Sequence, residues 1–216
     1  MRTLVVLAGG LSSRMGRDKV LTELDGMTFI ERILKNAADC FEKIIISTDS
    51  NGHADAVRSL PLFRDGSYKV TPEFVIDQYE RSGPMGGLIS VFEQTDTKRF
   101  AVISADIPFA DMHILSKLYD SCRKKACFLQ LEGKRPDPLI ASYDRSAYSD
   151  IKRSFEAGMY KMRLALSDED TDIVTEETLT AVLSGITHES IAFSFSNCNT
   201  PEDLERLIQL KKGYGI

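Results

Sequence analysis

The chain has 216 residues and a formal charge of −5, from 32 acidic against 27 basic side chains. That balance excludes the broad basic surface that non-specific nucleic-acid binding needs, while leaving room for a local cationic patch. With 43% hydrophobic residues and no apolar run long enough to cross a bilayer, the expectation is one domain over residues 1–216, with a substantial core and no membrane span. The four cysteines, Cys40, Cys122, Cys127 and Cys198, show no CxxC spacing. Three of them lie in or beside apolar patterns. Core thiols in a reducing cytoplasm are therefore expected, in keeping with an N-terminus that lacks a signal-peptide pattern.

In chain order, RTLVVLA (residues 2–8) predicts a short buried strand, stopped by Gly9 and Gly10. A helix is predicted from Thr28 to Cys40, where Phe29, Ile30, Ile33, Leu34 and Ala37 share one stripe. KIIIST (43–48) predicts a second buried strand, 53–60 a short helix, and FVID (74–77) a weaker third strand. GPMGGLISVFEQ starts a helix near Met85 or Gly86 that ends near Thr95, and FAVISAD (100–106) is another apolar strand with Asp106 at its tip. Residues 111–124 read as helix, and 127–131 and 138–143 as strands around the polar turn EGKRPD. Further helices are predicted over 145–156 and 160–167, and a strand over SIAFSF (190–195). The acidic run DEDTDIVTEE (168–177) reads as a solvated loop or helix start. TPEDLERLIQLKK predicts a closing helix, with Thr200 as cap, Pro201 at the first position and Asp203 completing a capping box.

Strands that alternate with helices and are apolar on both faces predict an α/β sheet covered on each side. The loops after such strands gather on one edge, beyond the strands' carboxyl ends, where ligands bind. Four segments are placed there. In LAGGLSSRMGRDK (7–19), Gly9 and Gly10 let a ligand approach the backbone amides, and Arg14 and Lys19 supply positive charge for phosphates. A basic surface turn is the competing reading, and the loop matches neither a Walker A motif nor GxGxxG.

Asp106, stiffened by Ile107-Pro108, can bind a hard divalent cation such as magnesium, or else cap local amides. Asp77, opening DQYERSGPMGG, can accept ligand hydroxyls or base donors; a plain loop aspartate is its alternative. Asn197 and Asn199 in FSNCNTPEDL can both donate and accept, and asparagine also forms turns without a ligand. The histidines, His53, His113 and His188, show no HxH or HExxH spacing.

LAGGLSSRMGRDK, DQYERSGPMGG, SADIP and NCNTPEDL occur in the order seen in molybdenum cofactor guanylyltransferases, which the chain resembles along essentially its whole length. The resemblance implies a three-layer, Rossmann-like domain with a mostly parallel central sheet and helices on both faces. It implies transfer of GMP from Mg-GTP to the terminal phosphate of molybdopterin or molybdenum cofactor, releasing pyrophosphate, with magnesium as cofactor. On that likeness Leu7, Ala8, Gly9 and Gly10 surround the nucleotide and Lys19 meets phosphate. Asp49 and Asp77 contact the nucleoside, Asp106 carries magnesium, and Asn197 and Asn199 lie towards the pterin.

Arg14, Lys19 and Asp106 are the expected catalytic residues. Molybdenum cofactor insertion proteins or chaperones are the expected protein partners of a monomer or weak oligomer. Three positions depart from the family pattern. Ala105 stands for a cysteine, Asp49 for an asparagine, and Asp137 for a neutral or imidazole side chain. Asp49 weakens the inference of guanine, because a carboxylate cannot donate as an amide does. A cytidylyl- or other nucleotidyltransferase, a glycosyltransferase using a nucleotide-sugar, and a non-enzymatic GTP-sensing protein are the alternatives.

Overall fold

A computed structural model of the chain describes residues 1–9, 20–64, 66, 69–79 and 82–214, with the side chains of 212–214 outside that description. Its first part runs β1 (Thr3–Leu7), β2 (Glu23–Leu24), β3 (Met27–Thr28), α1 (Phe29–Ala37), β4 (Lys43–Thr48), α2 (Asn51–Arg58), α3 (Pro61–Arg64), β5 (Glu73–Ile76), α4 (Pro84–Gln94) and β6 (Arg99–Ser104). It continues with α5 (Met112–Ser121), β7 (Ala126–Gln130), β8 (Asp137–Asp144), α6 (Tyr148–Glu156), β9 (Thr171–Thr175), α7 (Glu176–Val182), α8 (His188–Ser194) and α9 (Pro201–Tyr214).

Among the described residues, seven strands form one sheet in the order β5-β4-β1-β6-β8-β7-β9. Only β8 runs against its neighbours; β5, β4, β1, β6, β7 and β9 share one direction. β1 is buried along its whole length because both faces are covered. Leu4 and Val6 join Ile30, Ile33 and Leu34 of α1 and Leu115 and Leu118 of α5 on one side. Val5 and Leu7 join Met85, Leu88 and Ile89 of α4 and Ile151 of α6 on the other. Each fully buried Val, Leu or Ile stabilises the fold by roughly 1.5–3 kcal/mol before chain entropy is subtracted. The result is the expected three-layer α/β arrangement.

Local chemistry sets the element ends. Thr28 caps α1 by accepting from the Glu31 amide at 3.3 Å, and the Glu31 carboxylate accepts from the Thr28 amide at 3.0 Å. The other Glu31 oxygen accepts from the Leu62 amide at 3.1 Å, tying α3 to α1. The expected cap of α9 is also present: the Asp203 amide donates to the Thr200 hydroxyl, and the Thr200 amide donates to the Asp203 carboxylate. All four cysteines are buried thiols outside any disulfide.

Three expectations require correction. SIAFSF is not a strand but the body of α8, started by a Thr187–Ser190 capping box. Its alternating apolar residues serve two different cores: Ile191 and Phe195, four apart, face the main cluster, while Phe193 stacks at 4.9 Å on Phe109 in a smaller one. The acidic run 168–177 is a 3-10 turn followed by β9, which pairs in parallel with β7. Asp172 belongs there because its carboxylate accepts from the Arg123 and Lys124 amides at 2.7 and 3.0 Å. The helix predicted over 160–167 shrinks to a 3-10 turn at Met162–Leu164. The β2–β3 hairpin, not anticipated, turns through Asp25 and Gly26, both at positive φ (53° and 73°), as a two-residue hairpin loop requires.

Candidate nucleotide site at the carboxyl edge of the sheet

The parallel strands β1, β4, β5 and β6 end on one edge, and every predicted site residue in the described part of the chain lies in or beside a segment at that edge. After β1, the Ala8 amide donates to the Ser47 carbonyl at 2.8 Å, extending the pairing with β4. Leu7 and Ala8 are buried and Gly9 is exposed. A Cβ on Gly9 would lie 3.2 Å from the Asp49 amide nitrogen, so the chain leaves β1 in close contact with the end of β4. Asp49 follows β4, where its carboxylate accepts from the Ser50 hydroxyl at 3.2 Å and pairs with His53 Nδ1 at 3.1 Å.

Asp77 follows β5, its amide donating to the Thr48 carbonyl at 2.8 Å. Its carboxylate accepts from the Tyr79 amide at 2.8 Å and the Ser90 hydroxyl at 3.1 Å. Burial pushes this carboxyl above the usual aspartate range, and the nearby charge of Asp49 adds to the rise. Helix α4 comes close at Gly87. A Cβ there would meet Ser47 Oγ at 3.1 Å and Leu7 Cδ2 at 3.3 Å, with Asp77 Oδ2 at 3.8 Å. Ser47 and Ser90 are thus neighbours of the candidate site that the reading of single motifs did not identify.

Beyond β6, the Ala105 amide donates to the Leu7 carbonyl at 3.0 Å. The Cys198 amide donates to the Asp106 carbonyl at 2.8 Å, which docks the Asn197–Asn199 segment on the residue expected to hold a metal. Asp203 fixes the far side of that segment, accepting from the Asn199 amide at 3.0 Å. Because β8 is antiparallel to β6, its first residue, Asp137, also lies at this edge. Burial raises the Asp137 carboxyl above its ordinary range; a bond from the Leu139 amide opposes the rise and the charge of Asp106 adds to it.

Asp106 and Asp137 together offer carboxylate oxygens suited to a hard cation, which usually takes one or two carboxylates plus substrate phosphates. Gly10, Arg14 and Lys19 lie outside the described residues. Their flanks are Gly9, at the site, and Val20, whose carbonyl accepts from the Ile30 amide in the core.

Two other features lie apart from these side chains. A cavity of about 740 Å³ opens between α1 and α5, lined by residues such as Leu34, Phe109, Met112 and His113, and its lining contains none of the candidate site residues. Glu132, Glu176 and His188 also draw together, but Glu176 already accepts from the Glu132 amide at 3.1 Å and pairs with His188 at 3.0 Å.

A sheet edge of this kind, beyond the carboxyl ends of parallel strands, is where α/β proteins bind their ligands. The comparisons narrow the class. Residues 4–188 match the MobA-like NTP transferase domain, and the chain belongs to that family of nucleotidyltransferases. A Methanosarcina mazei protein named probable molybdenum cofactor guanylyltransferase is 29% identical over 211 residues, covering 96% of this chain and 90% of its own. The crystal structure of molybdopterin-guanine dinucleotide biosynthesis protein A from Archaeoglobus fulgidus superposes with a TM-score of 0.76 at 23% identity, covering 98% of this chain and 99% of its own. A 4-diphosphocytidyl-2C-methyl-D-erythritol synthase from Anaerococcus prevotii shares the fold at a TM-score of 0.68 and 15% identity, covering 97% and 95%. The fold alone therefore does not select the base.

Proposed function

We propose that the protein transfers GMP from GTP to the terminal phosphate of molybdopterin or molybdenum cofactor, as a single domain over residues 1–216. The observation that carries this reading is the bond from the Cys198 amide to the Asp106 carbonyl, which joins the acceptor asparagines to the metal carboxylate at the end of β6. The names of the relatives along nearly the full chain support the same substrates.

In this reading a terminal phosphate oxygen of the acceptor attacks the α-phosphorus of GTP, and the bond to the bridging oxygen breaks as pyrophosphate leaves with its electron pair. The attacking phosphate is already ionised, so no strong general base is needed. Charge repulsion is the main obstacle, because Asp49, Asp77, Asp106 and Asp137 already place four carboxylates along this edge. Magnesium, held by Asp106 with Asp137 beside it, would supply charge neutralisation and polarise the α-phosphoryl group. Arg14 and Lys19 stabilise the charge that develops on pyrophosphate. Leu7, Ala8, Gly9 and Gly10 border the nucleotide, Asp49 and Asp77 accept from the nucleoside, and Asn197 and Asn199 orient the acceptor.

The test is the mass of the product after incubation with magnesium, molybdopterin and each of the four triphosphates. A guanine dinucleotide product with released pyrophosphate supports the reading. A cytosine product moves the enzyme to the cytidylyl alternative, for which the carboxylate at Asp49 is the motivating departure. Binding of GTP without pyrophosphate from any acceptor would identify a sensor instead.

A further inference from the structure

Tyr79 lies two residues beyond Asp77 and is fixed at three points. Its amide donates to the Asp77 carboxylate at 2.8 Å, its carbonyl accepts from the Ser82 hydroxyl, and its phenol donates to Glu93 at 2.7 Å. Lys152 of α6 donates both to the phenol oxygen and, at 3.0 Å, to Glu93, and its ammonium lies 4.4 Å from the Tyr79 ring centroid. The Tyr148 hydroxyl donates to the same Glu93 carboxylate at 2.8 Å. The Tyr79 ring packs edge-on against Phe155 at 5.0 Å.

An ion pair needed only to join α4 to α6 would be complete with Glu93 and Lys152. A phenol from the loop after β5 also bonds to both, and the backbone amide of that same tyrosine is bonded to a candidate site carboxylate. The Glu93 and Lys152 side chains are each only 22% exposed, so the pair is partly shielded from water and salt. Burial pushes the Glu93 carboxyl up, but bonds from Tyr79, Lys152 and Tyr148 outweigh it and hold the group below its ordinary range. The Lys152 ammonium is held above its ordinary range, first by Tyr79 and then by Glu93.

We propose that Glu93 and Lys152 act as positioning residues that clamp Tyr79 and, through its amide, hold the Asp77 carboxylate in place for the nucleoside. This rests on Asp77 meeting the nucleoside, as proposed above. The clamp itself is a property of the protein without nucleotide. Glu93 and Lys152 bond to Tyr79 and not to Asp77, so the effect passes through Tyr79.

Two variants test it: Tyr79→Phe, which removes only the hydroxyl, and Lys152→Met, which removes the charge and keeps the length. Hydrogen exchange at the Tyr79 amide, the donor to Asp77, is expected to quicken in both, by about tenfold. Apparent KM for the triphosphate is expected to rise about tenfold with kcat within about twofold, the signature of lost uniform binding. The double variant should be no worse than the singles, and Lys152→Arg should restore most of the binding.

Unchanged exchange at Tyr79 in Lys152→Met overturns the clamp. So does a fall in thermal stability without a change in KM, which would make the network a plain tie between helices. If the parent protein turns over no triphosphate, the proposed function fails, and the exchange measurement still decides whether the clamp exists.

Discussion

The β5-β4-β1-β6 side of the sheet and its β8-β7-β9 side handle polar residues in opposite ways. On the first side the carboxylates of Asp49, Asp77 and Asp106 follow strand ends, and the glycine at 87 lets α4 pack closely against Ser47, Leu7 and Asp77. On the second side charged groups bond to one another across elements. Asp172 accepts two amides from the start of the β7 segment, Lys125 pairs with Asp150 and Asp170, and Glu176 joins the Glu132 amide to His188. The first side gathers carboxylates at one edge, whereas the second uses its carboxylates to hold an edge strand and two short helices in place. Asp137 is the exception that links the two, because antiparallel β8 returns its first residue to the site edge.

Substitutions on the two sides should therefore separate activity from stability. The largest expected effect is Asp106→Asn. Magnesium-dependent pyrophosphate release should fall by on the order of 10²–10³-fold or more, while the unfolding temperature stays close to the parent's, because the bond to Cys198 uses the Asp106 backbone carbonyl. Retained turnover in a folded variant would remove Asp106 from the metal role and erase the contrast between the sides.

Lys19→Ala comes next, with a loss of roughly 3 kcal/mol in transition-state stabilisation if its contact strengthens as pyrophosphate departs. Comparing kcat with the affinity for a nucleotide lacking the terminal phosphates checks this. Equal losses in both would point to a structural role for the loop.

The smallest effect belongs to the second side and should appear in stability alone. His188 is held above its ordinary value, first by its bond to Glu176, so the folded state binds this proton more tightly than the unfolded chain. The contribution is complete below the unfolded histidine pKa of about 6.5 and fades as pH rises through the higher folded value. Thermal unfolding of His188→Gln against the parent should show the greater difference at acidic pH and convergence at alkaline pH, with turnover unaffected. A difference that is constant with pH would mean that the pair acts by packing and not by charge.

Much of the first side was legible in the chain. TLVVL, KIIIST and RFAVIS are short runs with apolar centres rich in β-branched residues, as strands covered on both faces have, and the polar residues after them fall at the carboxyl edge by topology. On the second side β7 and β8 were legible by the same rules, whereas α8 and β9 were not. In α8 the alternation of Ile191, Phe193 and Phe195 arises from two separate cores meeting one helix, which a strand pattern imitates. In β9 the acidic residues look solvated until the Arg123 and Lys124 amides are seen to bond to Asp172. No local pattern announces a partner some fifty residues away.

By itself the amino-acid sequence determined most of the alternation of elements, the cap of α9, and which polar residues follow the parallel strands, since all of these depend on near neighbours and on side-chain period. Only the tertiary structure decided that Asp137 shares an edge with Asp106, that Cys198 bonds to the Asp106 backbone, and that Lys152 reaches Tyr79. Those pairings depend on strand direction and on loop closure over long stretches of chain. Their free energy comes from hydrogen bonds and burial completed after the sheet has assembled.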